Sequence, residues 1–185
     1  MLSPWMVLGI LVLEAVVGYP RRLPHPVTWV GGVIAGFEFR WNKPQYPRKI
    51  LGVIALFMIA GIVGLLGWVL QTLLPPLLII VMGSVGLAQR SLYEHVVAVM
   101  KPLRNGDLAA AHMAVSKIVG RDTENLDPSG VAAAAVESLA ESFNDGIVAP
   151  AFWLLVGGLP GLFIYKAVNT ADSLIGHKEE RWREF

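Results

Sequence analysis

Two polar stretches, AVESLAESFNDG and NTADSLIGHK, place carboxylates, amides, hydroxyls, a histidine and a lysine beside apolar sequence. At 100° per residue on a helix, Glu137, Glu141 and Asn144 fall within about 60° of one another, with Asp145 beside them. Ser138 and Ser142 flank this stripe, and Ala132, Ala135, Val136, Leu139 and Phe143 form the opposite face, suited to packing. Carboxylates at i,i+4 repel by about a few tenths of a kcal/mol on an exposed helix. Burial strengthens the repulsion unless a cation lies between them. The stripe is therefore either a solvated acidic face or a site for Mg²⁺ or a cationic substrate, and the adjoining apolar segment favours the second. In the other stretch Tyr165, Lys166, Asn169, Asp172, Ser173 and Gly176 recur at helical spacing, with His177 and Lys178 at its end. Lys166 and Asp172 either pair with each other or face a ligand.

Further candidates sit in loops. GRDTENLDP places Arg121 and Asp122 in a polar turn able to hold an anion or simply to be solvated. Pro24-His25-Pro26 fixes His25 on stiff backbone beside Arg21 and Arg22, which suits phosphate or carboxylate; the alternative is an exposed loop histidine. His95 and His112 fall on amphipathic helices and read as structural. No cysteine is present, so disulfides, thiolate nucleophiles and Cys-ligated metals are excluded, and any metal must sit among oxygen ligands, with or without His. Neither a Walker A sequence nor GxGxxG occurs, so a nucleotide site would be non-standard.

The elements that position these residues are those of a membrane protein. Of 185 residues, 55% are hydrophobic and 16% charged, and the net charge of +1 is too small for a nucleic-acid binder. The expected fold is all-α: a polytopic helical membrane protein of one domain, with a re-entrant helical hairpin and short cytoplasmic helices. Residues 1–18 read as a retained first membrane helix. Residues 50–70 carry no charge over about the 20 residues that a bilayer core requires. With the apolar run 77–88 they form a tight helical hairpin, 50–90, in which Gly52, Gly61, Gly64 and Gly67 allow close packing. Arg40, Lys43, Arg48, Lys49 and Arg90 flank the hairpin, and the positive-inside rule puts those flanks in the cytoplasm. Residues 27–39 have the aromatic content of an interfacial stretch. Residues 91–146 form a cytoplasmic helical region, with one helix stopping near Lys101-Pro102, a second over 107–119, and a third opened by Asp127-Pro128.

Residues 147–168 are long enough to span, yet Pro150, Gly157-Gly158 and Pro160-Gly161 break them. A continuous span would put the two polar stretches on opposite sides of the membrane. A hairpin turning at GGLPG would reunite them and leave the polar block and basic tail, 169–185, cytoplasmic; the charge rule favours this.

RRLPHPVTWVGGVI, IVGRDTENLD, AAVESLAESFNDGIVAPAFWLLVGGLPG and YKAVNTADSLIGHKEERWREF resemble the CobD/CbiB membrane proteins of cobalamin biosynthesis, the adenosylcobinamide-phosphate synthases. The resemblance implies a ligase of the cell inner membrane, multi-pass, with its polar stretches facing the cytoplasm. Its implied reaction joins adenosylcobyric acid to aminopropanol or its phosphate through an amide, using ATP and Mg²⁺, with the corrinoid as substrate. At the positions it covers, residue chemistry suits catalytic roles for Glu137, Glu141, Asp145 and Asp172, the first three also as metal ligands. Substrate contacts would come from His25, Arg121, Asp122, Asn144, Lys166, Asn169, Ser173, His177 and Lys178. Implied partners are the bilayer, the two substrates, and either further copies or other enzymes of the pathway. The chain departs from the family pattern at Glu14 and Gly18-Tyr19-Pro20, where an Asp and GDP are usual, and at Ser142 within ENxxDG. Family members also usually continue beyond the position of Phe185. The competing expectation is a non-catalytic membrane subunit or a small anion carrier, since acids in broken helices also serve transport.

Overall fold

The computed structural model describes residues 2–20, 22–120, 122–177 and 179–185. Within them the secondary structure is helical, without strands: α1 (Pro4–Val17), α2 (Pro26–Trp41), α3 (Arg48–Leu73), α4 (Pro76–Ser84), α5 (Gln89–Arg104), α6 (Leu108–Val115), α7 (Pro128–Phe143), a π-helical turn (Asn144–Val148) and α8 (Ala149–Ile175). Three stretches are long and apolar enough to cross a membrane: Arg48–Leu73, Pro76–Arg104 and Pro128–Ile175. Of these only α3 is one uninterrupted helix. The second is broken after Ser84, and the third folds back at Gly158, where φ is +63° and ψ −152°. The limbs on either side, 144–157 and 159–175, are each about 21–26 Å long at 1.5 Å per residue, short of a bilayer's hydrocarbon thickness.

Local sequence explains most helix ends. Ser3, His25, Asp107 and Asp127 each accept a hydrogen bond from a first-turn N–H, and proline follows Ser3, His25 and Asp127 at once. Residues 27–39, read as an interfacial stretch, lie within α2, because the prolines stand ahead of it rather than inside it. α5 continues through Pro102 to Arg104, forgoing the one bond that an N–H at 102 would make to the Ala98 carbonyl. α6 stops at Val115, four residues before the expected end.

The expected 50–90 hairpin exists in connection but not in packing. α4 lies on α1, where Gly83 accommodates Ile10 and Gly9 faces Ile80, while α3 lies along α8. The α3–α8 contact is close because it is built on glycine: a Cβ at Gly67 would come within 2.8 Å of Pro160 backbone, and one at Gly64 within 2.8 Å of Ile164. Lipid tails are as apolar as these side chains, so such close approach is what holds membrane helices together. Gly61 takes no part in this and faces open space.

Two cores result. Val7, Ile10, Ile79, Leu87, Leu154, Leu159 and Leu162 pack α1 and α4 around the tip of the folded α8. Val99, Ala111, Val115, Val131, Ala134 and Ala135 bind α5, α6 and α7 into a separate three-helix unit. The buried face of α7 is therefore Val131, Ala134 and Ala135. Val136 and Phe143, expected on the packed face, are exposed, because α5 and α6 pack on the face that carries Val131, Ala134 and Ala135.

Glu14 joins the two parts. Its carboxylate is buried and accepts from the backbone N–H groups of Gln89, at 2.7 Å, and Arg90, at 3.2 Å, so α1 caps the start of α5. This satisfies two otherwise orphaned donors and sets negative charge at a helix N-terminus. Glu14→Ala is expected to cost about 1–3 kcal/mol for each donor left without a partner. Glu14→Gln, which keeps one acceptor oxygen, should cost less; thermal melts in micelles compare the two.

Candidate functional site

The reversal at Gly158 brings the two polar stretches together. On the first limb the π turn begins at Asn144 and includes Asp145. Asp145 turns towards α8. Its Oδ2 accepts from Asn169 Nδ2 at 3.1 Å and its Oδ1 from Asn144 Nδ2 at 2.8 Å. The Tyr165 hydroxyl donates to the Asp145 carbonyl at 3.4 Å. Lys166, half-buried one turn before Asn169, lies within electrostatic reach of both Asp145 and His25.

This cluster lies level with the middle of α3, not with its end. Ile59 and Val63 pack with Ala167 and Ala171, and Gly64 faces Ile164. Lys166 and Asn169 therefore sit about halfway along the longest apolar helix.

The tip is held from α3. Gln71 Oε1 accepts from the Leu159 N–H at 2.8 Å, so the donor freed by the break in α8 has a partner. Gly161 packs against the Trp153 carbonyl, an approach that a side chain would block.

The other expected residues are placed as follows. Glu137 and Glu141 line a separate cleft of about 230 Å³ with Ser138 and Gly120, and Ser138 Oγ donates to the Ile118 carbonyl at 2.6 Å. Asp145 is not among its walls, so the three carboxylates expected to share one metal do not converge. Among the described residues no three Asp, Glu or His side chains do. Mg²⁺ is commonly held by one or two carboxylates completed by water and substrate phosphate, and the Glu137–Glu141 pair fits that smaller donor set.

His25 is near Lys166, but its Nδ1 is engaged, accepting from Val27 N at 3.4 Å. Asp172 is exposed and makes no ion pair with Lys166 among the described residues. Asp122 caps its own turn, accepting from Glu124 N at 3.0 Å. Ser173 Oγ returns to the Asn169 carbonyl, and exposed His177 contacts the Ser173 carbonyl. His112 bonds the Leu126 carbonyl at 2.8 Å, the structural role expected of it. Arg121 and Lys178 lie outside the described residues.

Sequence reading missed an ion pair that closes the tail over α2. Arg181 Nε and Nη2 donate to the two oxygens of Glu38 at 2.9 and 3.0 Å, while Asn42 Nδ2 donates to Glu38 and to the Arg181 carbonyl. The separation in sequence, 143 residues, hides this pair from any local pattern. The Arg181 hydrogen bonds hold the Glu38 carboxyl below its ordinary 4.5, against the opposing effect of burial, with Asn42 and the Arg181 charge adding to the depression. A depressed carboxylate stabilises the docked tail above its unfolded value, and that stability is lost as pH falls through the folded value. A spin label at Arg183→Cys is expected to stay immobile down to pH 4.5 and to loosen only below it. In Glu38→Gln the label should be mobile throughout.

The family model described as CobD/Cbib protein matches residues 7–185. Curated relatives named "Cobalamin biosynthesis protein CobD" include that of Rhodobacter capsulatus, 46% identical over 182 residues, which cover 94% of this chain and 58% of the relative. Those of Brucella anthropi and a Sinorhizobium species are 46% and 47% identical over 188 residues, covering 95% of this chain and 58% of each relative. The chain thus spans under two thirds of the length of these relatives. No solved structure matches it. With nearly every residue inside the family match, and close identity sustained over that length, the chain belongs to the CobD/CbiB family of cobalamin biosynthesis.

Proposed function

We propose that this chain carries the site at which a membrane-bound synthase joins the carboxylate of adenosylcobyric acid to aminopropanol or its phosphate. The observation supporting this reading is the fold-back that sets Asp145 against Asn169 and within reach of Lys166. A substrate with a carboxylate and a substrate with an amine need opposite charges close together, and this cluster supplies both. Asp145 would hold the ammonium group, oriented by the Asn144 and Asn169 amides. It would take the proton as the amine nitrogen adds to the carboxyl carbon activated by ATP and phosphate departs. Lys166 would hold the anionic oxygens of the partner substrate. Glu137 and Glu141 would hold Mg²⁺ with phosphate oxygens, and the ion would supply neutralisation of phosphate charge.

The inner membrane is the proposed location, with Arg40, Lys43, Arg48 and Lys49 on the cytoplasmic side. The level of the cluster, halfway along α3, also suits an anion carrier. Reconstitution separates the readings: adenosylcobyric acid, aminopropanol phosphate and Mg²⁺–ATP are supplied to the purified protein. Amide formation that is lost in Asp145→Asn and Glu141→Gln supports the synthase. Transport of the anion without ATP-dependent product would replace it with the carrier.

A further inference from the structure

The turn between α2 and α3 holds a cleft of about 400 Å³, distinct from both sites above, whose walls include Phe39, Asn42, Lys43, Pro44, Arg48 and Arg181. Glu38 also lines it, but Arg181 engages both of that carboxylate's oxygens. Lys43 and Arg48 make no ion pair among the described residues; Lys43 lies over the Phe39 ring at 5.9 Å and Arg48 is half-buried. Three cations thus face one carboxylate that is already matched. Asn42 adds a second unmet demand: its Oδ1 is buried and has no hydrogen-bond donor.

A half-buried guanidinium without a counter-ion has lost hydration that nothing replaces. A tetrahedral anion with several oxygens would restore it and bridge to Lys43. The surroundings narrow the class of anion. Phe39 is 76% exposed, and just along α3 from Arg48 the apolar Ile50, Val53 and Phe57 are 61%, 54% and 73% exposed. A soluble phosphate gains nothing from those faces, whereas a phospholipid uses both parts. Its phosphate meets Lys43 and Arg48, its acyl chains cover the start of α3, and a headgroup hydroxyl can donate to Asn42 Oδ1. We propose that this cleft is a binding site for the headgroup of an anionic phospholipid.

Native mass spectrometry of the full chain in detergent, offered equal phosphatidylglycerol and phosphatidylcholine, tests this. Wild type is expected to retain phosphatidylglycerol at least about fivefold over phosphatidylcholine, the effect of one or two well-placed cations. Lys43→Gln/Arg48→Gln should abolish the preference, and Lys43→Gln alone, at an exposed side chain, should reduce it without affecting the fold. Lys101→Gln/Arg104→Gln, which removes the same charge from α5, should leave it intact. The proposal is overturned if Lys43→Gln/Arg48→Gln keeps the preference, if the α5 variant loses it equally, or if millimolar inorganic phosphate removes it in wild type. The last result would assign the cleft to a soluble phosphate.

Discussion

Under the proposed synthase reaction, replacing Asp145 with asparagine is expected to slow amide formation about a hundredfold, or ~2.7 kcal/mol on the barrier. The change is nearly isosteric, so the fold should survive, and circular dichroism with a melt checks that. What disappears is the negative charge opposite Lys166 and one of two acceptor oxygens. Asn144 and Asn169 both direct amide N–H groups at this carboxylate, and an amide in its place must turn its own N–H₂ towards one of them. The substrate amine would also lose its proton acceptor. Glu124→Gln, an exposed carboxylate in the turn before α7, is expected to leave the rate unchanged. If Asp145→Asn retains more than a third of wild-type rate, Asp145 is not the base.

The second large effect is expected at the hairpin tip. Gly158 has φ +63° and ψ −152°, a region essentially restricted to glycine, where other residues cost about 1–3 kcal/mol. A Cβ there would also collide with the Gln71 side-chain amide, the group that accepts from Leu159 N–H. Gly158→Ala should therefore lose both backbone comfort and the bond from α3. Gln71→Leu isolates the second part, leaving a buried donor unpaired at a cost of about 1–3 kcal/mol. Both variants should reduce activity by loosening the Asp145–Asn169 contact, although neither residue is near it. Thermal stability of the two variants in micelles, ranked Gly158→Ala below Gln71→Leu below wild type, is the expected order.

These two positions show how far the sequence could be read. GGLPG announces a break, and the charge rule favours folding back over spanning, so the hairpin and the meeting of the two stretches were legible. Gln71 was not: a lone polar residue near the end of an apolar helix resembles any membrane-edge residue until its partner is known. The carboxylate stripe misled because a helical wheel gives direction around one helix and not which neighbour packs against each part of it. Asp145 bonds Asn169 on α8, while Glu137 and Glu141 stay with the α6–α7 loop. The pairing of α4 with α1 was hidden for another reason. Short loops favour neighbours in sequence, but Gly9 and Gly83 let α1 and α4 pack more closely than α3 and α4 could. The Glu38–Arg181 pair joins residues with no shared local pattern, and only the folded chain reveals it.

The fold-back itself is the central claim, and one distance decides it. The chain has no cysteine, so labels can be placed at Val148→Cys and Val168→Cys alone, both exposed apolar positions ten residues from Gly158. Packed helices lie about 8–10 Å apart axis to axis, so the spin–spin distance in nanodiscs is expected below about 20 Å, side-chain lengths included. A continuous helix through 148–168 would instead separate the same positions by about 30 Å, and that distance would contradict the joined site.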